Sequence, residues 1–200
     1  METVLIATTN AGKLREIRGI LAGVPVTLRT LNDCPTIVEP EETGVTFAEN
    51  ARLKALYYAR ATGLPAIAED SGIEIEALDN APGVHSARWH GNDYAVKFAA
   101  IYRELAARGR RGSRARFVAH LALAKGDRIC FEATGTVEGE IAPEPRGTHG
   151  FGFDPIFYYP PYSCTLGEVD GERKAAVSHR GKAFRQLRDV LLSRPELLGC

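Results

Sequence analysis

Val4-Leu5-Ile6-Ala7-Thr8-Thr9-Asn10-Ala11-Gly12-Lys13 is the stretch on which the fold class turns. Its apolar run, Val4 to Ala7, reads as a short buried strand. Thr8-Thr9-Asn10 supplies residues that cap helix N-termini, and Leu14, Ile17 and Leu21 then recur at helical spacing. A strand passing through a tight turn into a helix is the opening of an α/β fold.

The rest of the chain alternates in the same way. Val24–Leu31 reads as a second strand, and Pro35–Gly44 as a loop carrying Glu39, Glu41 and Glu42. Thr46-Phe47-Ala48-Glu49 has the pattern of a capping box; it opens a helix to about Thr62, stopped by Gly63 and Pro65. Pro65–Ala68 leads into a strand that is expected to end in a turn at Glu69-Asp70-Ser71-Gly72, with a further strand at Ile73–Glu76. A turn at Ala81-Pro82-Gly83 follows. Asp93–Arg108 reads as helix, Arg110–Arg116 as a basic loop, and Arg116–Lys125 and Arg128–Val137 as strands paired around Gly126-Asp127. Glu144–Asp154 is loop, and Ser178 opens a last helix with Ala183, Leu187, Val190 and Leu191 on one face. No long linker interrupts this order, so residues 1–200 are expected to form one α/β domain.

Composition narrows the function. Lys plus Arg and Asp plus Glu both number 25, so the net charge is zero, which argues against a nucleic-acid binder held by bulk electrostatics. No stretch has the length of a membrane-spanning helix and no signal peptide is evident. Cys34, Cys130, Cys164 and Cys200 lack the short spacings of a zinc site or a redox pair. Free thiols in a reducing cytoplasm are the expectation.

Chemistry-bearing residues collect at element ends. Lys13 falls in the first turn of its helix, where a cation opposes the helix dipole by about 0.3–1 kcal/mol; a bound phosphate reverses that sign, while a solvated lysine on a capped surface helix is the plainer reading. Asn50 and Lys54 share a helix face with Phe47, Ala51 and Tyr58, so they either line a polar cleft or, for Lys54, reach out to water. Of Glu69 and Asp70, adjacent on a strand, one is expected to lead into a site at the carboxyl end of the sheet, and a carboxylate there suits Mg²⁺. In Phe151-Gly152-Phe153-Asp154-Pro155 a ring could stack on a base and Asp154 accept from its edge, or the segment is a rigid core loop. Ser178-His179-Arg180-Gly181-Lys182 again sets cations at a helix start. His85, His90, His120, His149 and Trp89 read as structural, and Arg110–Arg116 as a solvated loop.

Taken in order along the chain, these motifs resemble the inosine/xanthosine triphosphate pyrophosphatase family, from Val4–Lys13 to Ser178–Gly181. The resemblance implies an elongated mixed α/β sheet with flanking helices, two lobes around a central nucleotide cleft, and a homodimer. It implies hydrolysis of inosine, deoxyinosine and xanthosine triphosphates to monophosphate and pyrophosphate with Mg²⁺. On this sequence, Thr8, Thr9, Asn10 and Lys13 would grip the triphosphate, Glu42 and Asp70 serve the metal, and Asp70 accept the proton. Lys54 would bind phosphate and Ser71 line the substrate site. Phe151, Gly152, Phe153, Asp154, Lys174, His179 and Arg180 would hold the nucleoside. The chain departs from the family at Phe153, usually Tyr, at Glu69, often Asp, and at Thr9 and His149, frequently Gly. Two rivals stand beside this reading: a Maf-like pyrophosphatase of other nucleotides, and a nucleotide- or RNA-binding module without turnover. Neither nucleic acid nor a membrane is an expected partner.

Overall fold

A computed structural model describes residues 2–199. The order is β1 (Glu2–Ile6), α1 (Ala11–Ile20), β2 (Val26–Thr30), α2 (Phe47–Thr62), β3 (Ala66–Ile75), α3 (Tyr94–Ala107), β4 (Arg114–Lys125), β5 (Arg128–Ile141), β6 (Phe157–Tyr159), β7 (Cys164–Thr165), α4 (Gly171–Val177) and α5 (His179–Ser193), with short 3₁₀ turns between. The sheet runs β2-β1-β3-β4-β5-β6-β7. The β1 strand is parallel to β2 and β3, and β6 is antiparallel to β5 and β7. The mixed α/β class read from the sequence is therefore the fold observed.

The chain divides into two compact units. The first comprises residues 1–70, 119–135 and 179–200. Val4–Ile6 of β1 and Ala66–Ala68 of β3 are buried on both faces, which is why they read as unbroken apolar runs. Strand alternation sorts their side chains. Val4, Ile6, Ile67, Leu121 and Leu123 join one core with Ile17 of α1, Leu21 at its C-cap, and Phe184, Leu187 and Leu191 of α5. Leu5, Ala7, Ala66, Ala68, Ala122 and Ala124 form the other with Ala51, Ala55, Tyr58 and Ala59 of α2. Each buried Leu or Phe contributes about 1.5–3 kcal/mol. Alanine on both sides of the second core lets α2 approach the sheet closely.

The second unit, residues 71–118 and 136–178, has its own core, with Ile101 and Leu105 of α3 packed among Ile73, Ile75, Phe117, Val137, Phe153 and Phe157. Phe117 and Phe157 stack at 4.3 Å.

Helix ends follow the sequence. Thr46 and Glu49 form the reciprocal capping box of α2, and Gly63 ends it in the left-handed region. Elsewhere the structure corrects the reading. β3 is one continuous ten-residue strand, so Glu69 and Asp70 lie inside it and not at a terminal turn. The glycine that suggested a turn serves close approach instead: a Cβ on Gly72 would stand 2.3 Å from Ser86 Oγ. Arg114 and Arg116 belong to β4, not to a loop, and Arg116 pairs with Glu74 at 2.6 Å. Helix α4, which carries Lys174, is absent from the sequence reading because its seven residues show too short a period. Cys34 and Cys164 are free thiols, as expected, but Cys130 is disulfide-bonded; spacing rules detect metal and redox motifs, not bridges made by the fold. Cys200 lies outside the described residues. Among the described residues no helix is long and apolar enough to cross a membrane.

Candidate active site

In the first unit the loop Ala7–Asn10 joins the buried β1 to α1. Asn10 caps the helix, its Oδ1 accepting from the Lys13 backbone N–H at 3.0 Å, and the Thr8 hydroxyl accepts from the Asn10 N–H at 3.2 Å. Thr9 and Asn10 are exposed. The first turn of α1 contains no acid, so its positive end and the Lys13 cation reinforce each other. Lys13 is not simply solvated: its Nζ is 2.9 Å from Glu69 Oε1.

Strand alternation then gives the two neighbouring acids different surroundings. Glu69 points to the α1/α5 side, with Ile67. Arg180 of α5 clasps it with two bonds of 2.8 Å from Nε and Nη2, and Nη1 donates to Glu16 of α1 at 2.6 Å. Glu69 and Arg180 are 4% and 1% exposed, and such a buried carboxylate is tolerable only because it is paired. Burial alone would raise the Glu69 pKa, but Arg180 and Lys13 outweigh it and hold the carboxyl well below the usual range. Burial likewise opposes the charge on Arg180, and Glu69 and Glu16 override it, keeping the guanidinium charged.

Asp70 points to the α2 side, with Ala66 and Ala68. Asn50 Nδ2 donates to its Oδ2 at 3.1 Å, and Lys54 Nζ lies 3.3 Å from its Oδ1 and 2.6 Å from Glu42 Oε1. Asn50 also accepts from the Gly44 N–H at 2.8 Å, tying the loop that carries Glu42 to the helix. Lys54 therefore bridges two carboxylates and does not run out to water. Its charge is favoured: burial lowers its pKa, but Asp70 and Glu42 raise it by more. Asp70 is raised above the ordinary carboxylate value, chiefly by burial; Lys54 and Asn50 act against this, and Glu42 adds to it. A buried carboxylate whose proton affinity is lifted by desolvation and by a second acid has the character of a general base.

The donor set suits Mg²⁺. Two carboxylates, Glu42 and Asp70, already accommodate a cationic ammonium between them, and Mg²⁺ is commonly held by one or two carboxylates completed by water and substrate phosphate. Among the described residues no group of three or more His, Cys, Asp or Glu side chains is placed to hold a metal ion.

In the second unit the loop before β6 is built around Asp154, which is 2% exposed. Its Oδ2 accepts from the Phe151 N–H at 2.7 Å and from Lys174 Nζ at 2.6 Å. The loop closes this tightly because residue 150 is glycine: φ is +74°, and a Cβ would lie 2.1 Å from Asp154 Oδ2. The two aromatics part company. Phe153 is buried in the core, edge-on to Tyr94 at 5.3 Å; Phe151 stays half-buried, with Lys174 Nζ 4.2 Å from its ring centre.

The structure thus brings Lys13, Glu69 and Arg180 together, and separately Glu42, Asn50, Lys54 and Asp70, and separately again Phe151, Asp154 and Lys174. His179 is buried at the start of α5 and Ser71 is half-buried in β3. The sequence marks Glu69 only as one of two adjacent acids and a departure from the family, and it assigns Glu16 no role. The signal for Glu69 was the pair of cations at helix starts, Lys13 and Arg180, which need a buried acid; Glu16 offered none beyond an acid three residues after Lys13.

A mixed α/β sheet flanked by helices that begin with cations, beside buried carboxylates paired to them, suits the handling of phosphate. The Ham1 family model matches residues 4–190, and the chain belongs to the Ham1 family. It is 47% identical to a dITP/XTP pyrophosphatase of Rhodospirillum centenum, over 93% of either chain, and 44% identical to one of Geobacter sulfurreducens, over 96% and 97%. Among solved structures, a HAM1 protein from Coxiella burnetii superposes with a TM-score of 0.88 at 40% identity, covering 96% of this chain and all of that one.

Proposed function

We propose that this protein is a nucleoside-triphosphate pyrophosphatase that hydrolyses abnormal purine nucleotides, inosine, deoxyinosine and xanthosine triphosphates, to the monophosphate and pyrophosphate. The observation that carries the mechanism is Asp70: buried, raised in pKa, and held by Asn50 and Lys54 beside Glu42. Membership of the Ham1 family and the relatives' activity support the substrate class.

Water adds at phosphorus of the anhydride between the α- and β-phosphates, its proton passes to Asp70, and the bond to the bridging oxygen breaks, releasing pyrophosphate. Lys13 and Lys54, with the free N–H groups at the start of α1 and the Thr8–Asn10 loop, neutralise the polyphosphate and the leaving group. Glu42 and Asp70 are the residues that would hold Mg²⁺, which when bound draws charge from the phosphates. Arg180 acts as a positioning residue: it fixes Glu69, which fixes Lys13. Phe151, Gly152, Phe153, Asp154, Lys174, His179 and Ser71 serve the nucleoside, with Phe151 as the stacking ring and Phe153 as its packed support. The family resemblance supports a homodimer.

Pyrophosphate release from ITP, XTP, dITP, GTP and ATP, with Mg²⁺ and with EDTA, tests the reading. Release from the first three that stops in EDTA, with little from GTP or ATP, is the expected result. Nucleotide bound without turnover favours a binding module instead.

A further inference from the structure

Helix α3 begins at Tyr94, behind the Asp93 cap whose side chain accepts from the Ala95 N–H at 2.8 Å. The Tyr94 ring is held from two sides. Phe153 meets it edge-on at 5.3 Å and 82°, and Phe98 lies 6.1 Å away. Lys97, one turn further on and fully buried, sets its ammonium 4.6 Å from the Tyr94 ring centre and 5.7 Å from that of Phe153. That ammonium donates to the carbonyls of Ser86 and Ala87 at 3.0 and 2.6 Å, and burial pushes its pKa down. With no carboxylate paired to it among the described residues, the two ring faces and two carbonyls are its surroundings, a desolvated cation–π arrangement that fixes the tyrosine.

The hydroxyl at the end of this fixed ring is unspent. It makes no hydrogen bond to the described residues, and the side chain keeps part of its surface, 37% exposed. It lies over the nucleoside loop: a Cβ on Gly152 would be 3.6 Å from it, so it faces bare backbone where any other residue would interpose a side chain. Burial, and then the nearby Asp154 charge, raise its pKa, so it stays a protonated donor at neutral pH.

We infer that Tyr94 is a further substrate-contacting residue, its phenol donating a hydrogen bond to an acceptor common to 6-oxopurine nucleosides. This rests on the reading that the Phe151–Asp154 loop holds the nucleoside. Phe153 gives that loop a ring without a hydroxyl; Tyr94, packed on that ring, carries one, and Lys97 keeps it in place.

The test is Tyr94→Phe, which keeps the ring and its contacts and removes only the hydroxyl. KM and kcat are measured for ITP, dITP and XTP, and the Kd of IMP by titration calorimetry, with thermal melting to establish an intact fold. Loss of one hydrogen bond predicts a KM and Kd rise of roughly two- to tenfold, on all three substrates, with kcat within about twofold. A KM change under about twofold on any of the three overturns the inference. A wild-type protein that hydrolyses none of them defeats the functional reading, and this inference with it; an active wild type with an indifferent Tyr94→Phe defeats this inference alone.

Discussion

The two compact units bury charge in different ways. In the first, Glu16, Glu69, Lys13 and Arg180 form one network and Glu42, Asp70, Lys54 and Asn50 another. In the second, Asp154 and Lys174 make a tight pair beside Phe151, while Lys97 is held by carbonyls and rings. Acids and cations tuned against each other suit proton transfer and, through Lys13 and Lys54, the binding of a polyanion. One charge pair that shapes a loop, set among aromatics, suits a flat, nearly neutral base. The difference teaches that the same cost of burying charge is met by mutual pairing where charge must be handled, and by loop closure where shape must be held.

The comparison breaks first at Asp70. Asp70→Asn is expected to lower kcat by about 10²–10⁴ with KM within a few-fold, in steady-state kinetics on ITP; a kcat near wild type removes Asp70 from the proton step. Arg180→Met leaves Glu69 and Glu16 without their guanidinium, and breaking a buried pair in this way costs about 3–5 kcal/mol. Urea unfolding reads it, and a loss below about 1 kcal/mol means the network is not what holds that face together. Phe151→Leu sharpens the contrast from the other side. Losing a stacked ring worth about 1–3 kcal/mol should raise KM about fivefold or more while leaving kcat nearly unchanged. An effect on kcat alone would place Phe151 with the chemistry.

The smallest effect is on pH dependence. Glu69 has a folded pKa below its usual value of 4.5, so its stabilisation is complete above that value and is lost as pH falls from there towards the folded pKa. Asp70 is shifted the other way, above 3.8. Its charge in the fold is disfavoured, and its service as a base fails sooner on acidification than that of an ordinary aspartate. Melting temperatures of Glu69→Gln should therefore fall less steeply than wild type below about pH 4.5; parallel curves would show that Glu69 does not carry the acid sensitivity.

Much of this was legible locally. The capping box at Thr46–Glu49, the stop at Gly63, the strand Val4–Ala7 and the cap at Asn10 are each written within a few residues, and the order of motifs along the chain pointed to the family. The shared helix face of Asn50 and Lys54 was readable from the helical period, because that period is a property of the backbone. The interior position of Glu69 and Asp70 was not readable, since Ser71-Gly72 looks like a turn until neighbouring strands supply its ladder and the Ser86 segment packs on Gly72.

By itself, then, the sequence determined an α/β chain with cations at helix starts and acids beside an apolar strand. Alternation along β3 also guaranteed that Glu69 and Asp70 point apart. Which helices wait on either side was decided by the tertiary structure alone. Because α1 and α5 cover one face and α2 the other, Glu69 is neutralised and locked by Lys13 and Arg180, while Asp70 keeps a raised proton affinity beside Lys54 and Glu42. The pKa of a buried acid depends on partners far away in sequence, up to 111 residues for Arg180 and Glu69, and those meet only when the sheet and its helices have assembled.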